Sequence, residues 1–332
     1  MTKEAVRRLV FLFGPTGVGK TDLILELFAG KSDTAAEIIS ADSMQVYRHM
    51  DIGSAKPSSE LRSRLPHHLI DIRNPNEQFH AADFVTLAEL LIDDIAGSGK
   101  IPVVSGGTAF YFRTLLYGLP GTPSGNPGVR ATILEREAIN GLEGLYRDLT
   151  VVDPDSARRI SSNDRYRISR ALEVYYTSGT PLSRFLVPSV PRSDLQVLIL
   201  GLNRPREQLY TRIDARVNLM FQTGLCSEVE KLVRSGYLPH DPGFRGIGYR
   251  EFFERYREAS SENDPADSDR FADWVASLDD SNATAIKEKI KTNSRHYAKR
   301  QTTFFKRLPE VKWVDPDASQ AIADRIGRFW EN

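Results

Sequence analysis

The chain reads as an α/β protein: a P-loop, doubly wound, mostly parallel sheet with an inserted all-helical domain and a helical C-terminal part. Three observations predict this. From Leu9 to Tyr117 short apolar runs alternate with helical periods, the pattern of strands that return through helices and therefore lie parallel. A break at Gly118–Gly128, holding four glycines and three prolines, opens a stretch with helical periodicity only. After a second Pro-rich stretch, Pro181–Pro191, the strand-like run Leu195–Leu202 resumes the alternation.

Taken in order, strands are expected at Leu9–Phe13, Ile38–Ser40, Leu69–Ile72 and Ile101–Val104, and helices at Asp22–Phe28, Ala82–Ile95 and Ala109–Leu116. The stretch from Val129 to Gly179 offers no strand that could extend the sheet. Residues 1–117 and 195–332 are thus expected to form the core with its C-terminal helices, and 118–194 the inserted domain. Helices follow at Arg206–Gln222, Cys226–Ser235 and Tyr249–Arg257. In the first of these, Leu209, Ile213, Val217 and Met220 form one apolar stripe that must face the core. Between Glu258 and Asp280 eight carboxylates face only Arg270, which predicts a mobile or weakly helical surface excursion. A long cationic helix, Ala283–Arg307, closes the pattern.

The octapeptide Gly14-Pro15-Thr16-Gly17-Val18-Gly19-Lys20-Thr21 stands between the first strand and the first helix, the context a phosphate-binding loop requires. Glycines let backbone N–H groups converge on phosphate oxygens, Lys20 adds a mobile positive charge, and the Thr21 hydroxyl is placed to ligate Mg²⁺ at the positive end of the helix. The pattern belongs to nucleotide-binding proteins, ATP-binding ones included. It says which group is gripped, not which bond is broken. At 332 residues, 40% hydrophobic, with zero net charge, the chain can bury a sizeable core and is no general nucleic-acid coat. Cys226 is its only cysteine, so no intrachain disulfide or multi-cysteine zinc site can form. No apolar stretch approaches membrane-spanning length. A cytoplasmic protein with no membrane partner is expected.

Asp42 ends the second strand-like run, on the sheet edge where ligands of doubly wound folds bind. It suits magnesium coordination, a general base, or a helix N-cap. Ser105-Gly106-Gly107-Thr108 forms the next ridge, with Thr108 either a substrate contact or another cap. His67 and His68 are adjacent and point to opposite faces of a strand, so ordinary strand-entry hydrogen bonding is their default. Arg212 and Arg216, four apart, lie to one side of the apolar stripe, where they either stabilise phosphate charge or form a solvated face. Arg158, Arg159, Arg165, Arg167 and Arg170 cluster in the inserted domain. The terminal helix interleaves cations with Tyr297, Phe304 and Phe305. Two basic patches on a neutral chain suit a polyanion touching two domains, RNA above all, since aromatics among arginines can stack splayed bases.

Several motifs together resemble the bacterial tRNA dimethylallyltransferase (tRNA isopentenyltransferase) family. They are GPTGVGKT (14–21), ISADSMQVYRHMDIGSAKPS (39–58), HHLIDIRNPNEQFHAADF (67–84), VVSGGTAFYFRTLLYGLP (103–120), NDRYRISRALEVYYTSGTPLS (163–183), RIDARVNLMFQTGL (212–225), FRGIGYREF (244–252) and KRQTTFFKR (299–307). They cover most of the chain in the family's order. Phe304 stands where the family usually carries tryptophan, and Gly121–Asn126 intervenes where an acidic residue usually follows the Leu-Pro. The resemblance implies transfer of a dimethylallyl group from dimethylallyl diphosphate to the exocyclic amine of the adenosine beside the tRNA anticodon, with Mg²⁺ as cofactor. It implies Asp42 as base, Thr21 and Arg216 as groups assisting diphosphate departure, and residues 14–21 as the diphosphate cradle. It further implies tRNA contacts at Asp42, Ser43, Met44 and Gln45 and at Tyr166, Arg167, Ile168, Ser169 and Arg170, substrate recognition by Thr108 and Arg130, and an inserted domain that clamps the anticodon stem-loop. A monomer is expected. The rival readings are an adenylate isopentenyltransferase, with the same donor but a free nucleotide as acceptor, and a small-molecule P-loop kinase or nucleotide-dependent switch.

Overall fold

The computed structural model describes residues 6–29, 35–259 and 268–331. Among these the elements run β1 (Arg7–Phe13), α1 (Lys20–Phe28), β2 (Ala36–Ala41), α2 (Ser59–Arg64), β3 (His67–His68), α3 (Ala81–Gly97), β4 (Ile101–Gly106), α4 (Ala109–Tyr117), α5 (Pro127–Val152), α6 (Pro154–Arg159) and α7 (Arg165–Ser178). They continue with β5 (Leu195–Leu202), α8 (Arg206–Gln222), α9 (Leu225–Arg234), α10 (Arg250–Ala259), α11 (Ser268–Ala276), α12 (Asp280–Phe305), β6 (Lys312–Val314) and α13 (Ser319–Glu331).

The strands form one sheet of six, ordered β3-β2-β4-β1-β5-β6, and every pairing is parallel. β1 lies inside it, and Leu9 to Phe13 are all fully buried, which is why that strand reads as an unbroken apolar run instead of an alternating one. Aromatic rings seal one of its faces. Phe13 stacks on Phe305 of α12 with ring centres 4.1 Å apart, and Phe112 of α4 meets Phe11 and Phe13 edge-on at 5.1 and 5.2 Å, geometries that add to simple area burial. The predicted stripe of α8, Leu209, Ile213, Val217 and Met220, is buried.

The chain divides into two compact units, one of residues 1–116 with 193–332 and one of residues 117–192. The second is built from α5, α6 and α7 around Ile133, Leu145, Leu149, Ala157, Ile168, Ala171 and Leu172. Its buried Glu173 accepts from the Asn126 N–H (2.8 Å), Arg130 Nε (2.6 Å) and Arg170 Nη1 (2.6 Å). Burial alone would raise that carboxyl's pKa, but these three donors hold it below the usual range.

Two expectations fail. The third strand is His67–His68, not 69–72: Leu69 and Asp71 carry positive φ, 62° and 57°, which no strand allows. Leu69 and Ile70 are buried, but the run is not extended. The acidic stretch is not a weakly structured excursion throughout. α10 reaches Ala259 and α11 buries Phe271, Ala272 and Val275, with Phe271 stacked on Phe253 at 4.3 Å. Counting charges hid the helical spacing of those three residues. Residues 260–267, with Glu262, Asp264 and Asp267, lie outside the described residues.

Register fixes what the sheet can present. Phe13 and Ala41 both pair with Gly106, so β1, β4 and β2 end level. A Cβ on Gly106 would sit 2.2 Å from the Ala41 carbonyl oxygen. Gly106→Ala is therefore expected to cost about 1–3 kcal/mol through overpacking and to lower the melting temperature. Gly97→Ala, where an added Cβ meets nothing within 4 Å, is expected to leave it unchanged or slightly raised. Thermal unfolding of both variants checks the pair.

Candidate active site

Because β1, β4 and β2 end level, Gly14, Gly107 and Asp42 leave the sheet on one edge. The loop after β1 turns through Gly17 and Gly19, with φ of 80° and 104°, a conformation open to glycine at no steric cost. Gly19 is the N-cap of α1, so the helix's unpaired N–H groups end at the loop, the arrangement that attracts an anion. Lys20 Nζ donates to the Gly14 and Pro15 carbonyls at 2.8 and 3.1 Å, folded across its own loop. Burial lowers its pKa to about 8, with Asp42 pulling upward and Arg216 pushing down.

A cavity of about 810 Å³ opens here, lined by Lys20, Thr21, Asp42, Arg216, Tyr297 and Arg300 among others, with apolar surface from Ile213, Val217, Met220 and Ile290. Asp42 does not cap a helix. Its Oδ1 accepts from the Met44 and Gln45 N–H groups at 2.9 and 3.4 Å in a run of turns, and among the described residues its bonds fall on that one oxygen. Ser43, Met44 and Gln45 line the same cavity. Thr108 accepts the Ser43 N–H at 2.9 Å, so its hydroxyl ties the end of β4 to the turn that carries Asp42.

Arg216 Nη1 donates to Thr16 Oγ1 at 3.1 Å, and Arg212 donates to the Gly17 carbonyl at 2.9 Å and Asp22 at 3.0 Å. Both arginines reach the phosphate loop, Arg216 half-buried and Arg212 still exposed to solvent. Burial pushes the Arg216 guanidinium's pKa down while Asp42 draws it up. A carboxylate and two cations thus feel one another across one cavity, with the cations held at an energetic disadvantage that an anion would relieve.

Other predicted residues serve elsewhere. Arg130 and Arg170 are held by Glu173, and Ile168 is 0% exposed in the inserted unit's core, so its side chain offers RNA no surface. Tyr166, 73% exposed, and Arg167 do. Arg165 pairs with the largely buried Glu137, while Arg158 and Arg167 pair with Asp155 and Asp164 at the surface, where solvent leaves such pairs weak. Phe305 is no stacking platform, since it is buried against Phe13. His67 bonds to the Leu65 carbonyl and His68 to Glu37.

Residues that sequence reasoning did not single out also build the site. Gln301, 4% exposed, accepts the Thr16 N–H and donates to the Gly107 carbonyl. Arg204 donates to the Val18 carbonyl at 2.9 Å while pairing with Asp317. Glu228 of α9 accepts the N–H groups of Asp51, Ile52 and Gly53 together with the Tyr249 hydroxyl, joining the DIGSAKP loop to the 246–249 wall. The one signal for the first was its place in the KRQTTFFKR motif (299–307), one helical turn after Tyr297.

An anion-binding loop, cations with depressed pKa values and a carboxylate around one cavity define a P-loop protein built to move a group off a phosphorylated donor. The chain belongs to the IPP transferase family, whose model matches residues 45–308. It is 42% identical over 325 residues, 97% of each chain, to tRNA dimethylallyltransferase 2 of Geotalea uraniireducens. It is 40% identical over 311 residues, 93% of this chain and 95% of the relative, to the tRNA dimethylallyltransferase of Borrelia turicatae. Among solved structures, the tRNA isopentenylpyrophosphate transferase of Bacillus halodurans is similar at TM-score 0.64 and 32% identity, over 98% of this chain and 97% of that one. A eukaryotic dimethylallyltransferase acting on tRNA is similar at TM-score 0.74 and 26% identity, over 97% and 80%.

The lysine's position carries a pH signature. With its pKa near 8 in the free protein, Lys20 is partly neutral at pH 8, and a bound diphosphate restores its charge. Binding of an alkyl diphosphate without tRNA should therefore take up about half a proton at pH 8, where the diphosphate is already fully ionised, and affinity should fall as pH rises above 8. Calorimetry in buffers of different ionisation enthalpy measures the uptake. None at pH 8 would contradict the depressed value.

Proposed function

We propose that this protein transfers a dimethylallyl group from dimethylallyl diphosphate to the exocyclic amine of the adenosine beside the anticodon of tRNA, releasing diphosphate. The observation that carries this is the sharing of one cavity by the phosphate loop, Arg216 and Asp42. The relatives' names and the match across nearly the whole chain support tRNA as acceptor over a free nucleotide, and dimethylallyl transfer over phosphoryl transfer.

In this reading the loop amides and Lys20 grip the diphosphate, and Arg216 beside Thr16 meets the charge that grows as the allylic C–O bond breaks. The adenine nitrogen forms the new C–N bond and loses a proton, because its lone pair is otherwise delocalised into the ring. Asp42 accepts that proton. Its Oδ1 is engaged by two backbone N–H groups, which fixes the carboxylate's direction. The apolar lining from Ile213, Val217 and Met220 suits the prenyl tail.

The donor set also suits Mg²⁺. The Thr21 hydroxyl is a hard oxygen ligand on this cavity, and no group of three or more His, Cys, Asp or Glu able to hold a metal occurs among the described residues. A cation here would complete its shell from diphosphate and water, as Mg²⁺ commonly does. Bound through Thr21, Mg²⁺ would neutralise charge on the departing diphosphate.

For tRNA, the exposed Tyr166 and Arg167 of the inserted unit and Arg300, which lies 5.8 Å over the Tyr297 ring, supply stacking and phosphate contacts. A flipped base costs least in a loop. No helix among the described residues is long and apolar enough to cross a membrane, and we place the enzyme in the cytoplasm, acting as a monomer.

Mass spectrometry of tRNA nucleosides after incubation with enzyme, donor and Mg²⁺ is expected to show isopentenyl-adenosine without ATP. Label found only on AMP, or a requirement for ATP, would overturn the reading. Asp42→Ala should leave donor binding within a few-fold while lowering turnover by about a hundredfold or more, and unchanged turnover would remove Asp42 from the mechanism. Affinity for tRNA should fall steeply with salt, measured as the slope of log Kd against log salt.

A further inference from the structure

We propose that Gln301 is the positioning residue that holds the donor half of the site and the acceptor half at their working separation. The inference rests on the function proposed above. The Gln301 amide is buried and both ends are used: Oε1 accepts the Thr16 N–H at 3.0 Å and Nε2 donates to the Gly107 carbonyl at 2.7 Å. The two partners, one donor and one acceptor, also fix which way round the amide lies.

Each partner leads into a different half. Thr16 lies in the phosphate loop, and its hydroxyl accepts from Arg216, the group facing the leaving diphosphate. Gly107 precedes Thr108, whose hydroxyl accepts the Ser43 N–H and whose own N–H donates to the Ala41 carbonyl, on either side of Asp42. Gln301 thus joins the cation that stabilises the leaving group to the turn that aims the base. Its anchor is α12, fixed by Phe305 stacked under β1 and by Arg295 paired with Asp214 of α8 at 2.5 Å. Transfer needs the allylic carbon and the adenine nitrogen within near-attack distance, so a slack bridge should slow the chemical step more than it weakens either ligand.

Gln301→Glu separates the two ends. A carboxylate still accepts the Thr16 N–H but cannot donate to the Gly107 carbonyl, whereas a protonated carboxyl can do both. At pH 8 the folded variant should bind donor within about threefold of the parent, yet transfer to tRNA in single turnover at least about tenfold more slowly. The ratio of variant to parent rate should climb as pH falls, whereas titration of the base, common to both proteins, cancels in that ratio. A role in folding only would lower the melting temperature and leave both the rate of the folded fraction and its pH ratio unmoved.

Gly107→Ala reaches the same bridge from the other side, because its Cβ would stand 2.4 Å from Gln301 Nε2. It should slow transfer similarly, and the double variant should be no slower than the worse single one. Should Gln301→Glu fail to fold, the Gly107→Ala rate decides alone. Parent-like single-turnover rates in the folded variants, or a flat pH ratio, overturn the inference. Absence of transfer by the parent protein itself would instead refute the underlying function.

Discussion

The level ending of three parallel strands is the constraint on which the site depends. Gly106 pairs with Phe13 on one side and Ala41 on the other, so the phosphate loop and the Asp42 turn emerge as neighbours separated only by Gly107 and Thr108. A one-residue slip in either pairing would turn side chains to the opposite face and separate the loop from the carboxylate. The tight approach of Gly106 to Ala41 guards that register sterically. Fully buried β1 and its aromatic cover give the arrangement the rigid base a reaction between two bound partners needs.

On that edge the chain concentrates groups that are uncomfortable until substrate arrives. Lys20 turns back on its own carbonyls and has its pKa lowered to about 8, while Arg216, partly covered, has among the described residues a threonine hydroxyl as its one direct hydrogen-bond partner. Desolvating cations without a matched anion is costly, and the Asp42 carboxylate offsets part of that cost at a distance. A diphosphate supplies the missing charge, so binding energy derives from relief of a preorganised disadvantage. The inserted unit manages charge differently. There Glu173 engages both Arg130 and Arg170, and the cations left at its surface, Arg158, Arg165 and Arg167, keep mostly exposed guanidinium groups.

Much of this was legible in the residues. Glycine spacing between an apolar run and a helical period announced the loop, and the order of strands and helices announced the sheet. The i,i+4 spacing of Arg212 and Arg216 beside an apolar stripe left their direction open, because spacing does not say which side of a helix meets a ligand. Leu69–Ile72 misled because burial and extension both produce apolar runs, and left-handed backbone at Leu69 and Asp71 leaves no mark in composition. Arg170 and Ile168 looked alike as members of one motif, yet one neutralises a buried carboxylate and the other fills a core. Gln301 was hidden for a different reason: its function lies in two backbone partners 285 and 194 residues away, and backbone partners have no side-chain signature.

The central claim is that one cavity brings a diphosphate held by the phosphate loop and Arg216 into reach of Asp42. The most direct test is a crystal structure with a non-reactive thiodiphosphate analogue of the donor. The account predicts the diphosphate on the loop amides, Lys20 released from the Gly14 and Pro15 carbonyls onto phosphate oxygens, and the allylic carbon directed into the space in front of Asp42. A diphosphate seated away from Arg216, or an allylic carbon walled off from the Asp42 carboxylate, would contradict it.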